Sequence, residues 1–122
     1  MIGDRQGFFM KWDKNLYVGS SISHKKNRVK WKIIHNAGQL DIYVIALASN
    51  PKNLLDIIPA WVLMQKHYPK KEKYIVGLAG SYDEALEVVT EILTEVYRNT
   101  GQFQVFQYFK KRAKEDKTCI SS

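Results

Sequence analysis

The sequence contains little cysteine, little proline and no long uncharged stretch. Its single cysteine, Cys119, excludes an intrachain disulfide, and no set of cysteines and histidines has the spacing of a zinc site. The uncharged stretches, residues 42–50 among them, are too short to span a bilayer. Residues 1–14 carry charges throughout and lack the apolar core of a signal peptide. These features predict a cytoplasmic protein that holds no metal and no cofactor.

The length and composition of the chain are typical of one globular domain. The chain has 122 residues, of which 45% are hydrophobic and 25% charged. We expect a single domain over residues 1–109. The segment 110–122 has few apolar residues, and we predict that it is a basic, flexible C-terminal tail.

The charge is strongly positive and unevenly distributed. The net charge is +7, and the five acids from Asp83 to Glu95 form a run without a base, so the rest of the chain carries +12. Basic surfaces bind polyanions because they release condensed counterions. The charge therefore favours contact with nucleic acid or another polyanion, although solubility alone also explains it.

Residue patterns predict four strands in the first part of the chain. Residues 8–12 and 16–20 are short apolar pieces, and residues 28–34 alternate between apolar and basic, which is typical of a half-buried strand. A compact hairpin connection at 36–39 leads into residues 40–48, an almost wholly apolar run that suits a central strand.

Two helices and two further strands follow. Residues 54–68 have helical spacing, with a kink or a restart of the helix expected at Pro59. Residues 74–79 form a buried strand, Ser81 and Glu84 form a capping box, and a second helix extends to about Asn99 before Gly101. Residues 103–109 are predicted as a last strand. The fold class is α/β: a mixed β-sheet with two main helices in the order β-β-β-β-α-β-α-β, its N-terminal hairpins being α+β-like.

Two basic clusters are candidate polyanion sites. The first lies on the predicted hairpin, where alternation directs Trp31 into the core and leaves no exposed aromatic ring for base stacking. The second lies at the C-terminus. The alternative for both is a solvated surface, since lysine protects sheet edges from pairing. The candidate residues are Lys25, Lys26, Arg28, Lys30 and Lys32 in the first cluster, and Lys110, Lys111 and Arg112 in the second.

The predicted last strand suggests self-association. Both of its faces carry aromatic residues and its polar positions are uncharged glutamines, so an edge position would leave it open to a second copy. Phe106 and Tyr108 are the candidate contact residues. A central strand covered on both faces is the alternative.

Catalysis has the least support. Ser49, Asn50 and Ser81 could line one crevice if their loops share a sheet end, but ordinary helix capping is the favoured explanation. The three histidines lie in different elements, and we predict no catalytic residue. The function is thus left between two hypotheses. One is a small basic binding or regulatory module that contacts nucleic acid through a basic β-hairpin; the alternative is a homodimeric protein-interaction domain that does not bind nucleic acid.

Overall fold

A four-stranded mixed sheet forms the centre of the structure, a computed structural model that describes residues 10–35, 41–47, 54–64 and 73–111. Its strands lie in the order β1-β4-β2-β3, with β1 parallel to β4 and β2 antiparallel to both β4 and β3. The strands are β1 Met10–Val18, β2 Tyr43–Leu47, β3 Leu55–Pro59 and β4 Lys73–Ala79. The α/β class with a mixed sheet is confirmed.

Helices cover both faces of this sheet. On β2, Val44 points into one apolar layer and Ile45 into the other, as the period-2 alternation of a strand requires. The first layer holds α1 and α2, and the second holds α3 and a fourth helix, α4, at residues 105–111. The helix bounds are α1 Lys26–Ile34, α2 Ala60–Leu63 and α3 Tyr82–Thr100. None of the described helices is long and apolar enough to cross a membrane.

The helix α3 forms where the sequence predicts it. The hydroxyl of Ser81 accepts the backbone N–H of Glu84 at 3.1 Å, which satisfies one of the free amides at the N-terminus. Gly101 ends the helix in the left-handed conformation, with φ of 76°. Its buried residues follow helical spacing and pack on the sheet: Ala85, Val88, Ile92 and Val96.

The predicted basic strand at 28–34 is wrong, because these residues form α1. Val29 and Ile33 are buried and lie four residues apart, so one turn of helix directs both toward the sheet. A strand would also have buried Trp31, whereas its side chain is 54% exposed. Residues 10–35 and 41–47, the described part of this region, form no hairpin either, since β1 is one strand that pairs in parallel with β4. Its register shifts between Trp12 and Tyr17, the stretch that separates the two short strands predicted at 8–12 and 16–20.

The predicted helix at 54–68 is wrong for residues 55–59 and agrees with the structure at 60–63, where α2 lies. Residues 55–59 form the edge strand β3, which pairs with β2 in antiparallel register from Leu47↔Leu55 to Tyr43↔Pro59. Proline is tolerated at a strand end on a sheet edge, where no ladder donor is missed. Pro59 therefore marks the boundary between β3 and α2. A helix begins directly after it, as the restart alternative expected, but a strand and not a helix precedes it.

The predicted last strand at 103–109 is helical from residue 105. Val105 and Phe109 are buried against the α3 side of the sheet, again four residues apart. Apolar residues at both 105 and 106 and at both 108 and 109 satisfy a helical and a strand period alike, so the pattern could not decide between them.

Candidate functional site

The basic segment comprises residues 23–35, which form a 3₁₀ turn at Ser23–Lys25 followed by α1. The chain has no acidic residue between Asp13 and Asp41. Ile22, Val29 and Ile33 are buried and attach the basic segment to the sheet. The position of its cations is therefore set by the apolar packing beneath them. The basic segment contains no carboxylate that could neutralise these charges.

One face of α1 combines positive charge with an exposed ring. Arg28, Trp31 and His35 succeed one another at helical spacing and are all exposed. The indole of Trp31 stacks on the imidazole of His35, with 4.2 Å between ring centroids and 25° between planes. Nδ1 of His35 lies 2.8 Å from the carbonyl oxygen of Trp31 and donates to it. The pair of rings is thereby held on the helix surface.

A polar depression adjoins this face at the start of α1. It is lined by one continuous stretch, residues 23–28, in which three neighbouring side chains are cationic: Lys25, Lys26 and Arg28. The N-terminal residue of α1 has no side-chain cap. This end of the helix therefore offers polar donors and positive charge, and no carboxylate of the stretch fills it.

The five cations of the first cluster do not share one orientation. Lys25 and Arg28 are exposed, whereas Lys26, Lys30 and Lys32 are half-buried. Nζ of Lys30 lies 5.2 Å from the ring centroid of Trp12 on β1, so its charge is directed toward the flank of the sheet. The structure thus places Lys25 and Arg28 as the most accessible cations of the basic segment.

The second basic cluster lies elsewhere on the molecule. Lys110 and Lys111 are exposed on α4, which packs on the opposite face of the sheet from α1. Nζ of Lys110 lies 5.3 Å from the ring centroid of Phe106. Arg112 and the rest of the predicted tail lie outside the described residues. The described cations of the two clusters therefore do not form one continuous patch.

The residues predicted for self-association lie on a helix, not on an edge strand. Phe106 is 56% exposed, whereas Tyr108 is half-buried and its hydroxyl accepts a hydrogen bond from Nδ2 of Asn99 at 2.9 Å. Strand pairing through these residues is therefore excluded as the mechanism. The neighbouring rings of Tyr97 and Phe103 are also exposed and stack at 4.9 Å.

The carboxylate of Glu84, which the sequence places in a capping box, joins two loops. Glu84 accepts the N–H of Gly80 at 2.6 Å, the N–H of Ser21 at 3.1 Å and the hydroxyl of Ser21 at 2.7 Å. These hydrogen bonds, that of the Ser21 hydroxyl first, lower the pKa of Glu84. We name this arrangement the Glu84 latch. It holds the loop that follows β1 and leads directly into the basic segment.

Glycine is required on both sides of the Glu84 latch. A Cβ at Gly19 would lie 2.2 Å from Cδ of Glu84, and a Cβ at Gly80 would lie 2.4 Å from Oγ of Ser21. The two loops can therefore approach the carboxylate only without side chains at these positions. Both glycines can be seen in the sequence. Ser21 and Glu84, however, are 63 residues apart along the chain, so the sequence does not show that the two loops meet.

Of the residues predicted to line a crevice, Ser49, Asn50 and Ser81, the structure describes Ser81. Tyr43, and not Leu47, pairs with Ala79, so the carboxyl ends of β2 and β4 lie at opposite ends of the sheet. Ser49 and Asn50 themselves lie outside the described residues, as do His67 and Cys119.

The basic segment presents exposed cations beside an exposed ring. Among the residues with described positions, no three histidine, cysteine or acidic side chains are grouped so that they could hold a metal ion. Comparison of the chain with protein-family models, with curated proteins and with solved structures found no match.

Proposed function

We propose that this protein is a small, non-enzymatic module that binds nucleic acid through the basic segment. The observation that carries the proposal is the exposed face of α1, where Arg28 and Trp31 lie side by side in a stretch without acidic residues. Phosphate contacts from arginine and lysine supply most of the affinity in sequence-independent binding. The contact element is a helix, and not the β-hairpin expected from the sequence.

The distribution of charge supports an oriented contact. The acidic run from Asp83 to Glu95 lies on α3, which packs on the other face of the sheet from α1. A polyanion is attracted to the α1 side and repelled from the α3 side. The nine residues of α1 are about 13 Å long, the length of about four nucleotides along one strand of a duplex.

The salt dependence of binding measures the number of phosphate contacts. With about three to five cations engaged, the logarithm of the association constant should fall with the logarithm of salt concentration with a slope between about −2 and −4.

The polar, basic composition and the single cysteine also support the expectation of a cytoplasmic protein.

The test is fluorescence anisotropy with a labelled random-sequence oligonucleotide at several salt concentrations. Lys25→Glu combined with Arg28→Glu should weaken binding by about 10-fold or more at low salt. Lys110→Glu combined with Lys111→Glu is the matched control, because it changes the net charge equally on the opposite face of the sheet. Absence of wild-type binding at low salt, or equal loss in both double variants, would contradict the proposal.

Self-association is a second candidate, now based on exposed aromatic rings. Tyr97, Phe103 and Phe106 leave a large apolar area accessible near the end of α3 and the start of α4. Light scattering should show a dimer that Phe106→Lys converts to a monomer. Phe106 is the better site for substitution than Tyr108, which is half-buried and hydrogen-bonded. A wild-type monomer at high concentration would exclude this candidate.

A further inference from the structure

Trp31 is exposed although α1 has buried positions on either side of it. Val29 and Ile33 are at most 2% exposed, while the largest side chain between them is 54% exposed. Single exposed apolar residues are common on protein surfaces, so exposure alone assigns no role to Trp31. The imidazole that stacks on the indole and the exposed cation beside it distinguish Trp31 from the other exposed rings.

The indole is also held in place before any ligand binds. His35 covers one ring face at 4.2 Å, and its hydrogen bond to the Trp31 carbonyl holds the imidazole in that position. A ring that is already ordered loses little conformational entropy when a partner stacks on it. The accessible part of the indole can then act as a flat, fixed platform.

The neighbouring charges indicate which flat partner fits this platform. Arg28 lies one turn before Trp31 on the same exposed face. A cation beside an aromatic platform is the pattern by which proteins bind unpaired bases, since the ring stacks on the base while the cation contacts a flanking phosphate. In a duplex, the base faces are stacked on one another and are not accessible to the indole.

We infer that the basic segment prefers single-stranded nucleic acid and that Trp31 stacks on an unpaired base. This inference rests on the proposed function, because it concerns the same surface. Stacking of one base on an aromatic side chain corresponds to about 5- to 150-fold in affinity. The preference over a ligand with the same phosphates but without bases should fall within that range.

The chain supplies its own control in Trp61. This residue is 58% exposed on α2, so it matches Trp31 in residue type and accessibility. The α2 segment, Ala60–Leu63, contains no lysine or arginine. Trp61→Ala should therefore leave binding unchanged, whereas Trp31→Ala should remove the contribution of the bases. Trp31→Phe keeps an aromatic ring and should retain most of that contribution.

The experiment compares three labelled probes of equal length by anisotropy: a mixed-sequence single strand, an abasic strand with the same phosphates, and a duplex. The single strand is prepared as DNA and as RNA, and a preference over the abasic strand in either form supports the inference. Trp31→Ala should lower affinity for the single strand to that for the abasic strand, without changing the latter.

The two proposals fail in different ways. Equal wild-type affinity for the single strand and the abasic strand, a preference for the duplex, or equal effects of Trp31→Ala and Trp61→Ala would overturn base stacking and leave phosphate binding in place. No binding to any probe would overturn both. Circular dichroism checks the fold of each variant, and the wild-type comparison of single and abasic strands decides the question even if Trp31→Ala does not fold.

Discussion

The Glu84 latch should make a pH-dependent contribution to stability. Glu84→Gln keeps the size of the side chain but replaces the ionised acceptor of three hydrogen bonds from Ser21 and Gly80. Hydrogen bonds to a charged group contribute about 1.5–3 kcal/mol when they are shielded from water. Because Ser21 is exposed and Glu84 only half-buried, we expect a smaller total loss of about 1–2 kcal/mol at neutral pH. The melting temperature should fall by about 4–8 °C.

The pH dependence follows from the direction of the pKa shift. The pKa of Glu84 is lower in the folded protein than its ordinary value of 4.5 because of these hydrogen bonds. The folded state therefore retains the carboxylate at a pH where the unfolded chain already binds a proton. The stabilisation is fully present above about pH 6 and is lost as the pH falls through the lowered pKa of the folded state.

Denaturant titrations of wild type, Glu84→Gln and Glu87→Gln at pH 7 and at pH 3 to 4 measure this effect. Glu87 is exposed on the same helix and serves as the control. The difference in unfolding free energy between wild type and Glu84→Gln should shrink on acidification. A difference that does not change with pH, or an equal loss in Glu87→Gln, would refute the reasoning.

Gly19→Ala provides an independent test of the same latch. The added Cβ would collide with the carboxyl end of Glu84, which can move away only by giving up its hydrogen bonds. We expect a loss of about 1–2 kcal/mol, similar to that of Glu84→Gln. The double variant should lose little more than either single variant, because both changes remove one interaction. Additive losses would show that Gly19 acts through another contact.

Three further changes are predicted from local geometry and are measured by denaturant titration. Gly101→Ala should cost about 1 kcal/mol because its φ of 76° is strained for alanine, although no atom lies within 4 Å of the added Cβ. Phe109→Ala should cost about 3–5 kcal/mol because the ring is fully buried, whereas Phe106→Ala, at an exposed site on the same helix, should change stability by less than about 0.5 kcal/mol. Tyr74→Phe should cost about 1–3 kcal/mol, since it removes a donor at 2.9 Å from the carboxylate of Asp13, which is 4% exposed. A loss of less than 1 kcal/mol in Phe109→Ala would contradict the packing of α4.

The elements that could be predicted from the sequence are those whose local signals agree. In α3 the Ser81 cap, the apolar stripe and the Gly101 stop all specify one helix, and the structure has it. The buried strand β4 is continuous in apolar residues and is bounded by charge and glycine. For these elements, tertiary contacts reinforce what the local pattern already favours.

The elements that could not be predicted are those whose patterns satisfy two periods. Val29, Trp31 and Ile33 alternate as in a strand, yet Val29 and Ile33 also lie four residues apart as on a helix. Residues 55–59 lie in a segment with helical spacing but form a strand because the free edge of β2 is available to pair with them. Whether each of these segments forms a helix or a strand depends on the assembled sheet, because the sheet supplies the packing surface and the pairing partner that a short segment lacks.

The change of α1 from a predicted strand to a helix alters the functional argument as well as the fold. On a strand, Trp31 would be buried opposite Lys30 and Lys32, and the cations alone would indicate nothing more specific than a solvated edge. On a helix, the residues buried beneath are Val29 and Ile33, and Trp31 emerges beside Arg28. The same residues then satisfy both requirements of a single-strand site, a cation for phosphate and a ring for a base. Because the Glu84 latch holds the loop that enters this segment, loss of the latch should weaken single-strand binding in Glu84→Gln without altering any residue that contacts the ligand, and Glu87→Gln should bind as wild type does.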